Sequence, residues 1–409
     1  MALVVQKYGG SSVDSSDKIR SVAARVARRR DEENDMVVVV SAMGKTTDEL
    51  IALARKMTDH PDEREMDVLL STGETVSSTL MAMALKASGH PAVSLSGMQA
   101  GIRTDATHNK ARITGVEPSR IREELSRGNI VIVAGFQGFS PTMDTTTLGR
   151  GGSDTTAVAL AVGLGADVCE IYTDVEGVLT ADPRIVSDAI KLQSIGYEDM
   201  LELASYGAKV MAPRAVELGQ VYGMPILVAS SSSDAPGTLI CTEEASMELR
   251  RKVSGIAHDT NVSKITIVGV PDHPGIAKDI FEPLARANVS VDTIVQNVGQ
   301  GEVTDVTFTV SRTDLIKALS IVEPVSKRMG ADKVNSDETL AKVSIVGTGM
   351  QNAPGYAAKM FRALSEANIN IELISTSEIR ITCIIKEDGV ADAVRSLHKE
   401  FEVEFEQLA

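Results

Sequence analysis

The chain has 409 residues, 43% of them apolar, with a formal net charge of −15. Roughly two or three domains are expected at this length. The acidic balance excludes a general phosphate-backbone partner such as nucleic acid, which needs a concentrated basic surface. Tryptophan is absent and aromatics make up 3%, so the core must be aliphatic, as in α/β layers with buried parallel strands.

The first segment, Leu3-Val4-Val5, runs straight into strand-like sequence without a charged leader. No window of about 18 uncharged apolar residues occurs, so a soluble, cytoplasmic protein without membrane contact is expected. Lys7-Tyr8-Gly9-Gly10-Ser11-Ser12 follows this strand and leads into a helix starting near Asp17. Paired glycines let backbone N–H groups approach a phosphate, and Lys7 supplies a full charge. A plain Gly-Gly turn is the other reading. Arg28-Arg29-Arg30 stands beside Asp31-Glu32-Glu33 and reads as a solvated helix end.

Further aliphatic strands are expected at Val37–Val40, Ala92–Leu95, Ile130–Val133, Glu170–Tyr172 and Ile226–Val228, each set between amphipathic or Ala-rich stretches. That alternation predicts an αβα sandwich with a largely parallel sheet, whose ligands gather at the carboxyl ends of the strands. Gly44-Lys45-Thr46 is not a P-loop, because the required earlier glycine falls on Val39. Gly149-Arg150-Gly151-Gly152 fails as a dinucleotide fingerprint, since its last position is Asp154. That segment, through Ser153-Asp154-Thr155, is still the densest functional cluster. It joins a guanidinium suited to carboxylates with glycines, hydroxyls and an acid at the start of a helix. Asp154 could equally be an N-cap.

Cys169, Cys241 and Cys383 lie too far apart for a metal or redox motif and read as buried free thiols. No cluster of metal-ligating side chains is expected. After Pro236-Gly237 the texture changes to a charged, strand-poor stretch.

The last third repeats itself. Ile265-Thr266-Ile267-Val268-Gly269, then Pro274-Gly275, Phe281, Leu284, Ala287 and Asn288 is echoed by Val343-Ser344-Ile345-Val346-Gly347, then Pro354-Gly355, Phe361, Leu364, Ala367 and Asn368. Each copy reads as a ferredoxin-like βαββαβ unit. The source of the final strands stays open, because Val253–His258 could serve either copy. The resulting plan is a catalytic domain over 1–245, a linker over 246–263, and repeat domains over 264–338 and 339–409.

Several segments together carry a family likeness. Lys7–Val13, Ser41-Ala42-Met43-Gly44 with Thr46-Thr47, Gly73-Glu74, Gly149–Thr155, Tyr172–Gly177 with Thr180-Ala181-Asp182-Pro183-Arg184, and Glu372–Glu378 resemble the aspartokinases. The likeness spans essentially the whole chain and implies an amino-acid-kinase domain followed by tandem ACT domains. It implies ATP and Mg²⁺ as cofactors, L-aspartate as substrate, and entry into lysine, threonine and methionine synthesis.

Residue by residue, the resemblance assigns the phosphate turn to Lys7, Tyr8, Gly9, Gly10 and Ser11, with Lys7 and Asp154 catalytic. It assigns aspartate to Ser41, Thr47, Glu74, Arg150, Gly151, Gly152 and Ser153, with Glu74 on the ammonium and Arg150 on a carboxylate. The nucleotide cradle would be Thr173, Asp174, Thr180, Asp182, Pro183, Arg184 and Lys209. Effector amino acids, lysine or threonine, would meet Asp272, Pro274, Gly275, Ile276, Ala277, Ser290, Val291, Asp292 and Gln296 in one copy. In the other they would meet Tyr356, Ala357, Asn370, Ile371, Ser377 and Glu378. The resemblance also implies a homo-oligomer, or an α2β2 assembly whose small subunit starts at Met247. The readings it leaves standing are a sibling kinase acting on glutamate, acetylglutamate or a nucleotide, and a non-catalytic amino-acid sensor on the same fold.

Overall fold

The computed structural model describes residues 2–208, 210–242, 253–297, 303–350 and 354–406. These form two compact units, one holding residues up to 179 and from 190 to 242, the other holding 180–189 and the chain from 253 on.

The first unit opens with β1 (Leu3–Tyr8), α1 (Ser16–Asp31), β2 (Asp35–Val40), α2 (Thr46–Met57), α3 (Glu63–Ala87) and β3 (Ala92–Leu95). It continues through β4 (Ile102–Thr104), β5 (Ile113–Val116), α4 (Ser119–Ser126), β6 (Ile130–Ala134), β7 (Gln137–Phe139) and β8 (Thr145–Thr147). It closes with α5 (Gly152–Leu164), β9 (Val168–Thr173), β10 (Ser194–Gly196), α6 (Tyr197–Ser205), α7 (Pro213–Tyr222), β11 (Ile226–Ser230) and β12 (Thr238–Cys241). The main sheet runs β10-β12-β11-β9-β1-β2-β6-β3, parallel except for the β11–β12 pair.

Its central strands are buried on both faces, which is why they read as unbroken Val and Ile runs. Val4, Val38, Val40 and Ile132 pack with Val22 and Val26 of α1 and Met81 and Leu85 of α3. On the other face lies α5, apolar all round from Ala157 on and buried along nearly its whole length. Helix α3 is long and apolar enough to cross a membrane by length and composition, yet it carries Asp67 and Glu74 buried in this unit, the pattern of a core helix. A separate sheet, β5-β4-β7-β8, was not foreseen, because its strands of three or four residues show no apolar alternation. Cys169 and Cys383 are buried free thiols and Cys241 is partly exposed.

The second unit contains β13 (Gly255–Pro271), α8 (Ile276–Arg286), β14 (Val291–Gln296), β15 (Val303–Val310), α9 (Leu315–Met329) and β16 (Lys333–Val346). Then come α10 (Tyr356–Glu366), β17 (Leu373–Thr376), β18 (Arg380–Lys386), α11 (Val390–Glu400) and α12 (Glu402–Glu406). One six-stranded sheet, β14-β15-β13-β16-β18-β17, serves both repeats.

The two longest strands are shared between the copies. The end of β13 pairs with β15 and with the start of β16, closing the first repeat. The start of β13, Gly255–Asp259, pairs with Lys342–Val346 at the end of β16 and so supplies the last strand of the second repeat. Each copy thereby has its fourth strand beside its first, and the open question of Val253–His258 is answered in favour of the second copy. Of the stretch 246–263 expected as a linker, residues 255–263 are strand; Met247 lies outside the described residues.

Candidate active site

The carboxyl ends of β1, β2, β6 and β9 lie side by side in register, where ligands collect in such sheets. Lys7 is buried between Val39 and Ile171 on the neighbouring strands. Its Nζ lies 2.5 Å from Asp154 Oδ1. Asp154 Oδ2 accepts a hydrogen bond from Ala212 N–H at 3.1 Å. This carboxylate is therefore not an N-cap: the capping position of α5 is Gly151, at φ 74°, with no side-chain cap. A Cβ on Gly151 would stand 2.5 Å from Ala212 Cβ, so the glycine is required by both backbone and space.

The turn after β1 is fastened on several sides. Gly9 N–H donates to Tyr172 C=O at 3.3 Å, Gly44 N–H donates to Gly10 C=O at 3.1 Å, and Ser231 N–H donates to Thr173 C=O at 2.9 Å. Ser12 Oγ donates to Ser231 Oγ at 2.8 Å. A Cβ at Gly10 would meet Ala42 O at 2.8 Å, while one at Gly9 would come within 3.6 Å of Lys7 Nζ. The ammonium thus stands beside a bare backbone turn, a combination suited to phosphate oxygens. Thr173 and Asp174 follow at the end of β9, with Thr173 Oγ1 donating to Asp174 Oδ1 at 3.0 Å. Ser11 is exposed on the turn.

Tyr8 departs from expectation. Its ring is fully buried and stacked on Tyr172 at 4.9 Å, and its hydroxyl donates to Gln6 Oε1 at 3.0 Å. Burial pushes its pKa well above the ordinary phenol value. Its side chain belongs to the core, leaving only its backbone for the turn.

Beside the loop that follows β2, Glu74 of α3 is buried, with Oε1 accepting from Ala42 N–H at 3.1 Å. Its Oε2 is buried without a hydrogen-bond partner. Burial raises its pKa to about 7, against the pull of the backbone hydrogen bonds. An unpartnered buried carboxylate oxygen is costly and is the natural seat for a cationic ligand group. Gly73 lets α3 approach the same loop, since a Cβ there would meet Ala42 Cβ at 2.9 Å. Ser41 is tied in through its C=O, which accepts from Ser77 Oγ at 2.8 Å.

Thr47, Gly149 and Arg150 line a cleft of about 850 Å³ together with Asn109, Phe136 and Thr147. Arg150 is exposed, and its guanidinium makes no ion pair among the described residues. Ser153, buried at the start of α5, points its Oγ to within 2.8 Å of where a Cβ on Gly135 would be.

Thr180, Asp182, Pro183 and Arg184 belong to the second unit. Thr180 is fully buried with Oγ1 3.0 Å from His398 Nε2, so its hydroxyl is engaged internally and does not fit the role of nucleotide contact. The Arg184 guanidinium is 2.6 Å from Asp182 and holds that carboxyl below its usual range. Lys209 lies outside the described residues. Sequence reasoning missed Ser231, whose only signal was the serine run 230–233, and Asp67, one of four acids along α3 with nothing local to mark it.

In the second unit, Gly275 and Gly355 cap α8 and α10 at φ 102° and 107°; helix starts of this kind offer N–H groups to a carboxylate, although Ile276 N–H already donates to His273 C=O at 3.3 Å. Asp272, Pro274 and Ala277 are exposed around the first turn, whereas Ile276 is a core residue. Ser290 precedes β14 and Val291 opens it, packing against the core; Gln296 is exposed at its end.

Asp292 forms an ion pair with Lys342 of the other copy. Its counterpart Glu372 pairs with Lys264 of the first copy at 3.0 Å. These two pairs are reciprocal, each copy's first strand supplying the lysine for the other's acid. Asn370, Ile371, Ser377 and Glu378 flank β17, and Ser377 N–H donates to Arg380 C=O at 2.8 Å. The Tyr356 hydroxyl donates to Glu404 at 3.4 Å and its ring stacks near Phe401, so only its backbone at the helix start is open to an effector.

Residues 2–230 match the amino acid kinase family, and residues 265–324 and 343–401 match the ACT domain. An aspartate kinase of Stutzerimonas stutzeri is 50% identical over 404 residues, covering 99% of this chain and 98% of its own. The crystal structure of Escherichia coli aspartokinase III with aspartate and ADP, in the R-state, superposes with a TM-score of 0.80 at 26% identity, over 98% of this chain and 100% of that one. The T-state of that enzyme with lysine and aspartate gives a TM-score of 0.71 at 26% identity, over 97% and 99%. The chain belongs to the amino acid kinase family and, within it, to the aspartokinases with tandem ACT domains.

Proposed function

We propose that this enzyme transfers the γ-phosphoryl group of ATP to the side-chain carboxylate of L-aspartate, giving 4-phospho-L-aspartate and ADP, the opening step of lysine, threonine and methionine synthesis. The observation that carries the reading is the unpartnered buried Oε2 of Glu74, held against the loop after β2 through Ala42 N–H, while Arg150 lines a cleft with Thr47, which follows that same loop. One takes an α-ammonium and the other a carboxylate, the two handles of an amino acid. ADP and aspartate together in the E. coli relative support the same pairing.

The bare turn at Gly9, Gly10 and Ser11 fits ATP phosphates, and magnesium would be held mainly by those phosphates and water. When bound, Mg-ATP supplies the phosphoryl group. The chain's own residues then align the reactants and neutralise charge. Lys7 faces the transferring group, with Asp154 fixing its ammonium. Arg150 and Ser153 orient the acceptor, assisted by Ser41, Thr47, Gly151 and Gly152. No general base is needed, because a carboxylic acid of pKa about 4 is already ionised at neutral pH.

For the ACT pair we take lysine or threonine as effectors, held at the Gly275 and Gly355 turns and biasing two states of the enzyme through differential affinity. The lysine-bound T-state of the E. coli relative supports this. A cytoplasmic location and a homo-oligomer, or an α2β2 assembly begun at Met247, complete the proposal. ADP release measured with L-aspartate, L-glutamate and N-acetyl-L-glutamate tests it: release with L-aspartate alone is expected, and release with either alternative but not L-aspartate would replace it with a sibling kinase.

A further inference from the structure

Asp67 lies on α3 two turns before Glu74, on the same face of the helix. It is completely buried, and no lysine or arginine pairs with it among the described residues. Its charge is met by three neighbours outside its own helix. His108 Nδ1 lies 2.6 Å from Oδ2, Asn109 N–H donates at 3.0 and 3.2 Å, and Thr147 Oγ1 donates to Oδ1. A buried carboxylate is expensive unless fully satisfied, so these groups are fixed in place by it.

Both attachment points adjoin the cleft. Thr147 ends β8 three residues before Arg150, and Asn109 sits in the facing loop in a left-handed conformation, φ 62°. Asn109 O is 3.1 Å from where a Cβ on Gly149 would be, and Gly149 itself has φ 77°. Ala111 N–H donates to Thr147 C=O at 2.9 Å. Arg214 closes the other side, donating to Leu148 C=O at 2.7 Å and to Ala111 C=O at 3.0 Å. Because the Arg150 guanidinium has no ion pair among the described residues, its position is set by this backbone.

We infer that Asp67, acting through His108, Asn109 and Thr147, is a positioning residue that holds the Gly149–Arg150 segment in the geometry that grips the carboxylate of the amino-acid substrate. The inference rests on the proposed role of Arg150. Substituting Asp67→Asn turns one acceptor oxygen into a donor facing N–H or O–H groups that need an acceptor.

Steady-state kinetics on the full-length enzyme, with ATP and L-aspartate varied separately, provide the test. Asp67→Asn is expected to raise the KM for L-aspartate about tenfold, with kcat and the KM for ATP within about threefold, the loss expected for one buried charge-assisted tie. His108 is partly exposed, so His108→Phe avoids refolding a buried site. It should raise the same KM about fivefold, and His108→Gln, which keeps a donor, should recover most of that loss. In the double variant Asp67→Asn/Arg150→Ala, the KM should match that of Arg150→Ala alone.

An unchanged aspartate KM in Asp67→Asn and His108→Phe, with Arg150→Ala impaired, overturns this inference and leaves the proposed function standing. So do equal rises in both KM values, or additive effects in the double variant. Should Asp67→Asn not fold, the His108 pair decides. A normal aspartate KM in Arg150→Ala instead removes the proposed role of Arg150, and this inference with it.

Discussion

The cleft of the first unit and the repeat pair of the second use charge in opposite ways. Around the strand ends of the first unit, Lys7 and Asp154 are both about nine-tenths buried and paired with each other, while Glu74 keeps one buried oxygen without a partner. In the repeat pair the acids are already answered from within, Asp292 by Lys342 and Glu372 by Lys264, and Asp292 is substantially exposed. Desolvated charge with an open valence is a costly arrangement that ligand binding relieves, whereas reciprocated charge needs no ligand. An effector amine at Asp292 or Glu372 must therefore compete with a lysine of the chain itself, and the glycine turns at the helix starts carry the carboxylate end.

Substitutions that break this contrast should have graded effects. Lys7→Ala should lower kcat by about a hundred- to a thousandfold, the usual loss when one preorganised stabiliser of the transition state goes; near-normal ADP release at saturating substrates would remove Lys7 from the mechanism. Arg150→Ala should raise the KM for L-aspartate by about ten- to a hundredfold through loss of a charge-assisted contact, with the KM for ATP little changed.

Glu74 gives a pH-dependent prediction. Its folded pKa, raised to about 7, lies above its unfolded value, so the protonated carboxyl favours folding fully at low pH. That stability is lost as pH rises from the unfolded pKa through about 7, amounting to about 3 kcal/mol at most. Glu74→Gln should therefore raise the ligand-free Tm at pH 8 and leave it nearly unchanged at pH 4.5, while abolishing tight aspartate binding. In the native enzyme the KM for L-aspartate should climb by up to about tenfold per unit as pH falls below about 7, because the carboxyl must ionise to receive the ammonium; a flat KM between pH 5.5 and 8 would separate Glu74 from the substrate.

The smallest effects belong to the repeat pair. Lys264→Met and Lys342→Met should each change stability by less than about 1 kcal/mol, as expected for partly exposed pairs, measured by denaturant unfolding. Both should shift the inhibitory concentration of lysine or threonine. A shift from only one of them would show that the two copies are not functionally equivalent.

Much of this contrast was legible in the sequence. Unbroken Val and Ile runs give the parallel sheet, because strands buried on both faces admit no alternation. The repeated Pro-Gly and its trailing Phe, Leu, Ala and Asn give the two copies. Lys7, Arg150 and Asp154 could be named because they fall in glycine-rich segments that a core does not require, whereas Glu74 was named only by the resemblance to the aspartokinases. What could not be read depends on long-range pairing: nothing local in Gly255–Asp259 says that it completes the second repeat, or that Lys342 reaches Asp292. Thr180 and Tyr8 look like ligand groups in sequence, yet burial and internal partners divert their side chains. Asp67 was invisible for the opposite reason, since it follows Glu63 and Glu65 in the first turns of α3 and looks like another surface acid until its three partners are in view.

The most direct measurement is calorimetric titration of L-aspartate into the enzyme at pH 6 and pH 8 in two buffers of different ionisation enthalpy. Uptake of the amino acid at both pH values, weaker at pH 6 and accompanied there by release of close to one proton, is the predicted result. Binding of equal strength at both, without proton release, would contradict the assignment of Glu74 and with it the amino-acid cleft.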